Sequence, residues 1–459
     1  MQLNEQVDFS FITKKKWTQK QFFRIFCGIM IFGIILFLVS LLILGVERWR
    51  FLFFLLIDPE DSFMDFFNPL AWSTPLSIAY QRVFSIYPPI TVLWAGLLGS
   101  LFPTEISSVL RAFPLRASCL GTGLLISFLT LTCFGFFSLL GKLKTGSYKA
   151  KLLFCALIFF SSPFLHWIER GNYIIIAIIG SLFFVMYYDN PKAWLRQFAL
   201  IMLALAINTK IYPVVLGLLL FKDKQYKDIL YLCLYSLLFL FVPLFWLGGI
   251  NGFLLFLRNL PTNSGTAYSL GYGYSLSLFL TLKMIVYAFT NQEFAVLNTV
   301  FSFISFAMLP IGAVAAYFIK SKWKTLALLC LLMILIPSIS YTYILIFLAI
   351  PLAYFLNEEQ EHTFRDLIYL ILFCLIFMLN IPALVSIFTP GGYPVLFDNF
   401  CAKLSCLVMF IMLVRDSYIV IKEKFSPCKN CPYFCDNGIQ RIALFRRVHE
   451  IGCRSKFAF

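Results

Sequence analysis

The chain alternates between uninterrupted apolar runs and short polar joints, and most of the runs are too long and too pure to be one face of a soluble helix. Such runs predict membrane-crossing helices, each needing about 20 apolar residues. They fall at 24–45, 117–140, 150–165, 171–188, 197–208, 213–221, 229–250, 297–319, 325–337, 340–356, 367–388 and 400–421. Lysine concentrates in the joints, at Lys14-Lys15-Lys16 with Lys20, Lys142/Lys144/Lys149/Lys151, Lys222/Lys224/Lys227, Lys320/Lys322/Lys324 and Lys422/Lys424. Cations stay on the cytoplasmic side of a membrane, and twelve spans with both termini cytoplasmic put every one of these joints there. Segments 46–116, 166–170, 209–212, 251–296, 338–339 and 389–399 then lie outside.

Two apolar stretches must not cross for this scheme to hold. Residues 87–102 are expected as a re-entrant or interfacial helix, and 275–290, with Lys283 in its middle, along the outer surface. The short runs 197–208 and 213–221 read as half-helices broken at Lys210. Irregular backbone at that depth is tolerated only against protein or a water-filled cavity, so the break points to a binding site. The expected fold is therefore all-α: a polytopic integral membrane protein of about twelve helices (range 10–13). Residues 1–23 form a cytoplasmic N-terminal segment and 24–421 one membrane domain with outer loops 46–116 and 251–296. Residues 422–459 form a basic, cysteine-containing cytoplasmic tail. The first run lacks a small-residue cleavage site and reads as a retained anchor.

Composition agrees. Of 459 residues, 61% are hydrophobic and 13% charged, with mean hydropathy +0.86, whereas soluble domains carry about 25% charged residues. The net charge of +15 does not imply nucleic acid, because the basic residues sit in the joints and form no stripe among exposed aromatics. The partner they imply is membrane lipid. Thirteen cysteines are present, mostly single within apolar runs (Cys27, Cys119, Cys133, Cys155, Cys233), where they act as small hydrophobes. The tail holds Cys428-x-x-Cys431-x-x-x-Cys435, with His449 and Cys453 beyond. Zinc needs four such ligands, but this spacing fits no common finger; the expectation is a reduced tail, with no metal and no cofactor.

Chemistry concentrates outside the first span. Asp58, Glu60, Asp61 and Asp65 fall within eight positions of an otherwise basic and oily chain. Asp65, between Met64 and Phe66-Phe67-Asn68, is the candidate for a cavity wall, where a carboxylate can take a proton from an attacking hydroxyl. Asp61, four residues earlier, would share its face if the segment is helical, and Asp58 is a further candidate. Tyr87-Pro88-Pro89 is a stiff extended element suited to a site wall. Arg82 just upstream can meet a phosphate. Lys210, in Lys210-Ile211-Tyr212-Pro213, is an ammonium at bilayer depth and hence a functional candidate, here for a lipid phosphate. Glu169-Arg170-Gly171-Asn172 is a compact polar corner. No Gly-rich phosphate loop or Ser-His-Asp set occurs.

The order of these short motifs resembles the GT-C glycosyltransferases: Met-Asp-Phe-Phe-Asn at 64–68, Tyr-Pro-Pro at 87–89, Arg-Gly-Asn at 170–172 and Lys-Ile-Tyr-Pro at 210–213. More narrowly, the pattern is similar to the bacterial polyprenol-phosphate-mannose-dependent family, once catalogued as a domain of unknown function, over roughly residues 20–420. The resemblance implies an inverting hexosyltransferase in the bacterial inner membrane. It would take a sugar, most often mannose, from a polyprenyl-phosphate donor at the extracytoplasmic face and pass it to a lipid or glycan acceptor. The family's aspartate carries over to Asp65, with Asp58 and Asp61 as fallbacks, its asparagine corner to Gly171 and Asn172, and its lysine to Lys210. Arg82, Tyr87, Arg170, Tyr212 and Tyr343 are then expected around substrate and phosphate. One departure stands out. Relatives often carry Ser-Trp-x-His late in the chain, where this one has Ser340-Tyr341-Thr342-Tyr343, leaving Lys210 or Arg82 to hold the leaving phosphate. The competing readings are a polysaccharide polymerase or ligase and a lipid-linked sugar transporter, whose halves would repeat.

Overall fold

The computed structural model describes residues 16–44, 61–81, 85–103, 112–267, 275–290, 295–337, 340–379 and 397–425. Asp58, Glu60, Arg82, the 389–396 part of the last outer loop and the tail cysteines lie outside the described residues. Two compact units are present, Met1–Ser417 and Tyr418–Phe459.

The described residues are helical, with two isolated β-bridges and no strand. In chain order the α-helices begin with α1 (Gln19–Leu44), α2 (Met64–Trp72), α3 (Pro89–Gly99), α4 (Phe113–Ala117), α5 (Cys119–Leu143) and α6 (Tyr148–Phe159). Next come α7 (Ser162–Arg170), α8 (Ile174–Tyr187), α9 (Ala193–Thr209), α10 (Leu218–Lys222), α11 (Tyr226–Phe241) and α12 (Gly249–Ala267). The last six are α13 (Leu278–Thr290), α14 (Ala295–Phe318), α15 (Lys322–Leu335), α16 (Ala349–Phe355), α17 (Phe364–Phe377) and α18 (Phe397–Phe425). Short 3₁₀ segments at Leu76–Gln81, Tyr212–Gly217, Val242–Phe245 and Thr342–Leu348 join some of them.

Each of the twelve apolar runs contains helix, α or 3₁₀, in its described part, with breaks such as Phe160–Ser161 and Trp246–Gly248. Among the described residues, five helical stretches are long and apolar enough to cross a membrane: Gln19–Ile43, Cys119–Leu143, Tyr226–Phe245, Asn298–Phe318 and Asn399–Lys424. The bent pair α6–α7, which turns by 59°, makes a sixth if counted as one span. The remaining apolar helices are shorter. The 14 residues of α15 reach about 21 Å at 1.5 Å per residue, against about 30 Å of hydrocarbon.

Length and burial separate the helices into two sets. The long ones turn large apolar side chains outward, such as Leu42, Phe134, Leu230, Phe306 and Ile411, which suits a lipid solvent. Some short ones are enclosed. On α15 every residue from Thr325 to Leu335 is buried, and Ile344–Leu352 likewise. A helix apolar on all sides belongs at the centre. Trp323 anchors this core, its ring 4.2 Å from Phe355 and 5.1 Å from Tyr369. The fold is thus an α-helical membrane body with an apolar, close-packed centre.

Helix ends are fixed locally. Ser118 and Ser147 accept from the backbone N–H of Gly121 and Ala150 at the starts of α5 and α6, and Thr363 with Asp366 forms a capping box on α17. Asp416 accepts from Lys324 and Tyr369 and pairs with Arg365, tying α15, α17 and α18 together.

Two expectations about non-crossing segments meet different outcomes. Helix α3 has 11 residues, about 16 Å, too short to cross, and its Trp94 and Leu97 are exposed. The stretch 275–290, expected along the outer surface, is enclosed by protein in its first half. Residues Ser275–Thr281 are buried, Lys283 is 9% exposed, and α13 packs on α14. Backbone pairing draws the segment in: Leu276 N–H donates to the Ser340 carbonyl at 2.6 Å, and Ser340 N–H to Ser275 Oγ at 3.2 Å. Segment 251–296, expected as an outer loop, also takes part in a helix its composition did not announce. Helix α12 packs on Leu76–Gln81, where Asn259 donates to the carbonyls of Tyr80 and Ser85 at 3.1 and 3.3 Å. The segments Leu76–Gln81 and Gly249–Ala267, far apart in sequence, therefore fold against each other.

Candidate active site

Helix α2 opens on a strained residue. Phe63, with φ 61° and ψ 13°, is left-handed without being glycine, a conformation held only when its surroundings over-determine it. Here they do. Phe63 N–H donates to the Glu169 carbonyl at 2.9 Å, and Arg116 donates to the Ser62 carbonyl at 3.0 Å. Met64, Phe66 and Phe67 are buried on either side of Asp65, so the carboxylate has one way to face. Pro69, inside α2, lacks the N–H that would bond the Asp65 carbonyl.

The Arg170-Gly171-Asn172 corner supplies the partners. Gly171 closes α7 at φ 64°, its N–H on the Trp167 carbonyl, the left-handed cap that glycine takes without steric cost. Asn172 Oδ1 accepts from Ile174 N–H at 2.9 Å, which turns its amide nitrogen toward Asp65 Oδ2, 2.8 Å away. The same nitrogen lies 3.1 Å from the Tyr343 hydroxyl and 3.5 Å from that of Tyr87. Arg170 bridges two carboxylates, donating through Nη2 to Asp65 Oδ1 at 2.5 Å and through Nη1 to Asp61. Side-chain exposure is 17% for Asp65 and 12% for Arg170 but 34% for Asp61. Asp61 is the rim of the pair.

Lys210 comes from the broken helix. Pro213 lies four residues after Thr209 and its ring would collide with that carbonyl, so α9 ends at Thr209 and Lys210 is extended, with φ −146° and ψ 129°. Its ammonium then sits 4.1 Å over the Tyr87 ring. Thr91 on α3 donates to the Asn208 carbonyl at 3.2 Å, pinning the two elements. Tyr343 stacks on His166 at 5.5 Å, and His166 Nδ1 is 3.4 Å from Glu169 Oε2. Tyr341 lies beside Tyr343, ring centres 5.8 Å apart. Tyr212 packs its edge on Phe347.

The electrostatics oppose one another. Burial by itself would raise the Asp65 pKa, but Arg170, then the hydrogen bond from Asn172, then Lys210 outweigh it and hold the carboxyl below its usual range. Burial lowers Lys210 to about 8, against the pull of Asp65. Burial and the Asp65 charge raise Tyr87, keeping its phenol neutral. The cluster thus presents a fixed carboxylate, two cations and three phenols.

Asp61, Asp65, Tyr87, Arg170, Asn172, Lys210 and Tyr343, all singled out in the sequence, meet here, with Tyr212 close by; Asp58 and Arg82 lie outside the described residues. One detail is corrected. Asp61 and Asp65 do not share a helical face, because α2 starts at Met64 and the turn at Phe63 intervenes; they meet through Arg170. Tyr341 and His166 were not among the expected site residues, and Glu169 was named only as part of the polar corner. Their placement needs Thr342–Leu348 packed on α7, which no local pattern announces. Among the described residues, no three His, Cys, Asp or Glu side chains converge as metal ligands would.

Gly171→Ala is expected to destabilise the protein by about 1–3 kcal/mol. A Cβ there would stand 3.0 Å from Phe66 Cβ in a left-handed backbone, pushing at α2 itself. A thermal midpoint in detergent equal to that of the parent would show the corner is not tight.

Fold and site together define an all-helical membrane protein with a buried, mixed-charge cluster beside its membrane body. The chain matches no protein-family model, and no curated protein matches it.

Proposed function

We propose that this protein is a GT-C-like glycosyltransferase of about twelve spans. It takes a hexose from a polyprenyl-phosphate donor and passes it to a lipid or glycan acceptor at the extracytoplasmic face of the bacterial inner membrane. One observation carries the reading: side chains from separate segments, chosen for their motifs, form a single cluster around Asp65.

In this reading the acceptor hydroxyl attacks the anomeric carbon from the face opposite the phosphate. The new C–O bond forms as the old one breaks, its electron pair going to the phosphate oxygen and the proton to Asp65. A carboxylate with a low pKa is a weak base at rest. It suffices because the hydroxyl becomes strongly acidic only as its bond to carbon forms, so proton transfer comes late. Arg170 and Asn172 keep Asp65 ionised and aimed. Lys210 meets the charge growing on the leaving phosphate, as oxyanion-hole donors meet an alkoxide. The carrier chain lies between helices in the lipid, and inversion follows from single displacement. Purified protein in lipid with a panel of polyprenyl-phosphate sugars tests this; no transfer from any donor, with acceptors supplied, would sink it.

The pH profile gives a sharper test. Asp65 stays ionised down to below about pH 3.9, the ordinary carboxylate value, whereas Lys210 loses its proton near pH 8. Transfer should therefore be flat through neutrality and fall above pH 8. Lys210→Arg keeps its charge to far higher pH, so the alkaline fall should disappear. An unchanged alkaline limb in that variant would remove Lys210 from the phosphate.

A further inference from the structure

A cavity of about 370 Å³ opens among α10, α11, α14 and α15 and shares no residue with the Asp65 cluster. Its volume lies in the range of small-molecule sites, about 300–1,000 Å³. Small residues on α14 create it: Ala313 and Ala316 leave a gap against the neighbouring helices. Buried Ala316 and Leu329 form the floor, and exposed Phe221 and Val314 open it toward the lipid-facing side. Two further rim residues, Tyr226 and Tyr317, are exposed; tyrosine concentrates where a bilayer meets water.

The mouth is cationic. Lys222, part of the lining, donates to the Ala316 carbonyl at 3.1 Å, to Thr325 Oγ1 at 2.7 Å and to the Ile319 carbonyl, fixing its ammonium at the C-terminal end of α14. Lys224, Lys227 and Lys320 are exposed in the same two joints. Of the acids nearby, Asp228 pairs with Arg196 at 3.3 Å, while Asp223, which accepts from Tyr188 at 2.8 Å, acts on Lys222; three exposed lysines remain against that one carboxylate. An apolar slot with tyrosines at its lip and exposed lysines in the two joints beside it is complementary to one kind of molecule. The geometry points to a binding site for an anionic phospholipid, one acyl chain in the slot and its phosphate among Lys224, Lys227 and Lys320. By the positive-inside rule this is a lipid of the cytoplasmic leaflet. The site stands independently of the glycosyltransferase reading.

The test is lipid retention by the full chain, delipidated in detergent and followed by native mass spectrometry, with phosphatidylglycerol and phosphatidylcholine of identical chains. Phosphatidylglycerol should be retained about tenfold more tightly, the attraction of one or two basic side chains. The triple variant Lys224→Glu, Lys227→Glu, Lys320→Glu, all at exposed positions, should erase that preference, and Ala313→Phe should reduce binding of both lipids by filling the slot. If Ala313→Phe does not fold, Val314→Trp makes the same test from the rim. Equal retention of the two lipids, full competition by inorganic phosphate, or binding indifferent to the filled slot would each overturn the proposal.

Discussion

Asp65→Asn should cut sugar transfer by about 10²–10⁴-fold, the usual worth of a positioned general base, while leaving donor binding nearly unchanged. The substitution keeps the shape of the side chain and the neighbours that hold it. Asn172 can still reach one terminal atom of residue 65, and Arg170 retains Asp61. What disappears is the negative charge that, on the proposed mechanism, receives the proton. The variant therefore separates a transferase from a transporter. A transporter using the same charges for passage would lose binding or flux, whereas a transferase keeps the donor bound and stalls at the chemical step. Donor retention measured beside turnover decides the matter, and full turnover would end the assignment of Asp65 as base.

Arg170→Met should have the largest effect on stability, about 3–5 kcal/mol, the cost of leaving a buried charge without its partner. The pH dependence gives this outcome its signature. In the parent protein Asp65 has a depressed pKa, so the pair's stabilisation is present above the unfolded-state value, about 3.9, and is lost as pH falls through the lower folded-state value. In the variant the leading cause, burial, loses its main opponent, and the Asp65 pKa moves upward instead. The penalty is then full at neutral pH and relieved as acid protonates the carboxyl. Thermal midpoints in detergent should rise for the variant between pH 7 and pH 5 and should not for the parent. A variant that also fails to gain from acid would show that Asp65 does not depend on Arg170.

The sequence made the site more legible than the fold. Asp65, Lys210 and the Arg170–Asn172 corner stand out because each interrupts apolar surroundings with a group that is costly to bury, and Pro213 marks where α9 must stop. How they join was not readable. Arg170 and Asp61 are separated by 109 positions, and only the packing of α7 beside α2 brings them together. The helical face expected for Asp61 failed because a left-handed Phe63 leaves no trace in a hydrophobic pattern. Likewise 275–290 looked superficial because Lys283 interrupts it, yet pairing between Ser275 and Ser340 carries it inward. Apolar runs gave helix positions well, but they do not say which helices are long enough to cross and which lie inside.

A helix as short as α15, about 9 Å less than the hydrocarbon layer, cannot face lipid along its whole height. The missing length falls to neighbouring protein or to a bilayer that thins toward it, at fractions of a kcal/mol per Å of mismatch. Enclosing such helices thus ties the fold to the thickness of the membrane around it.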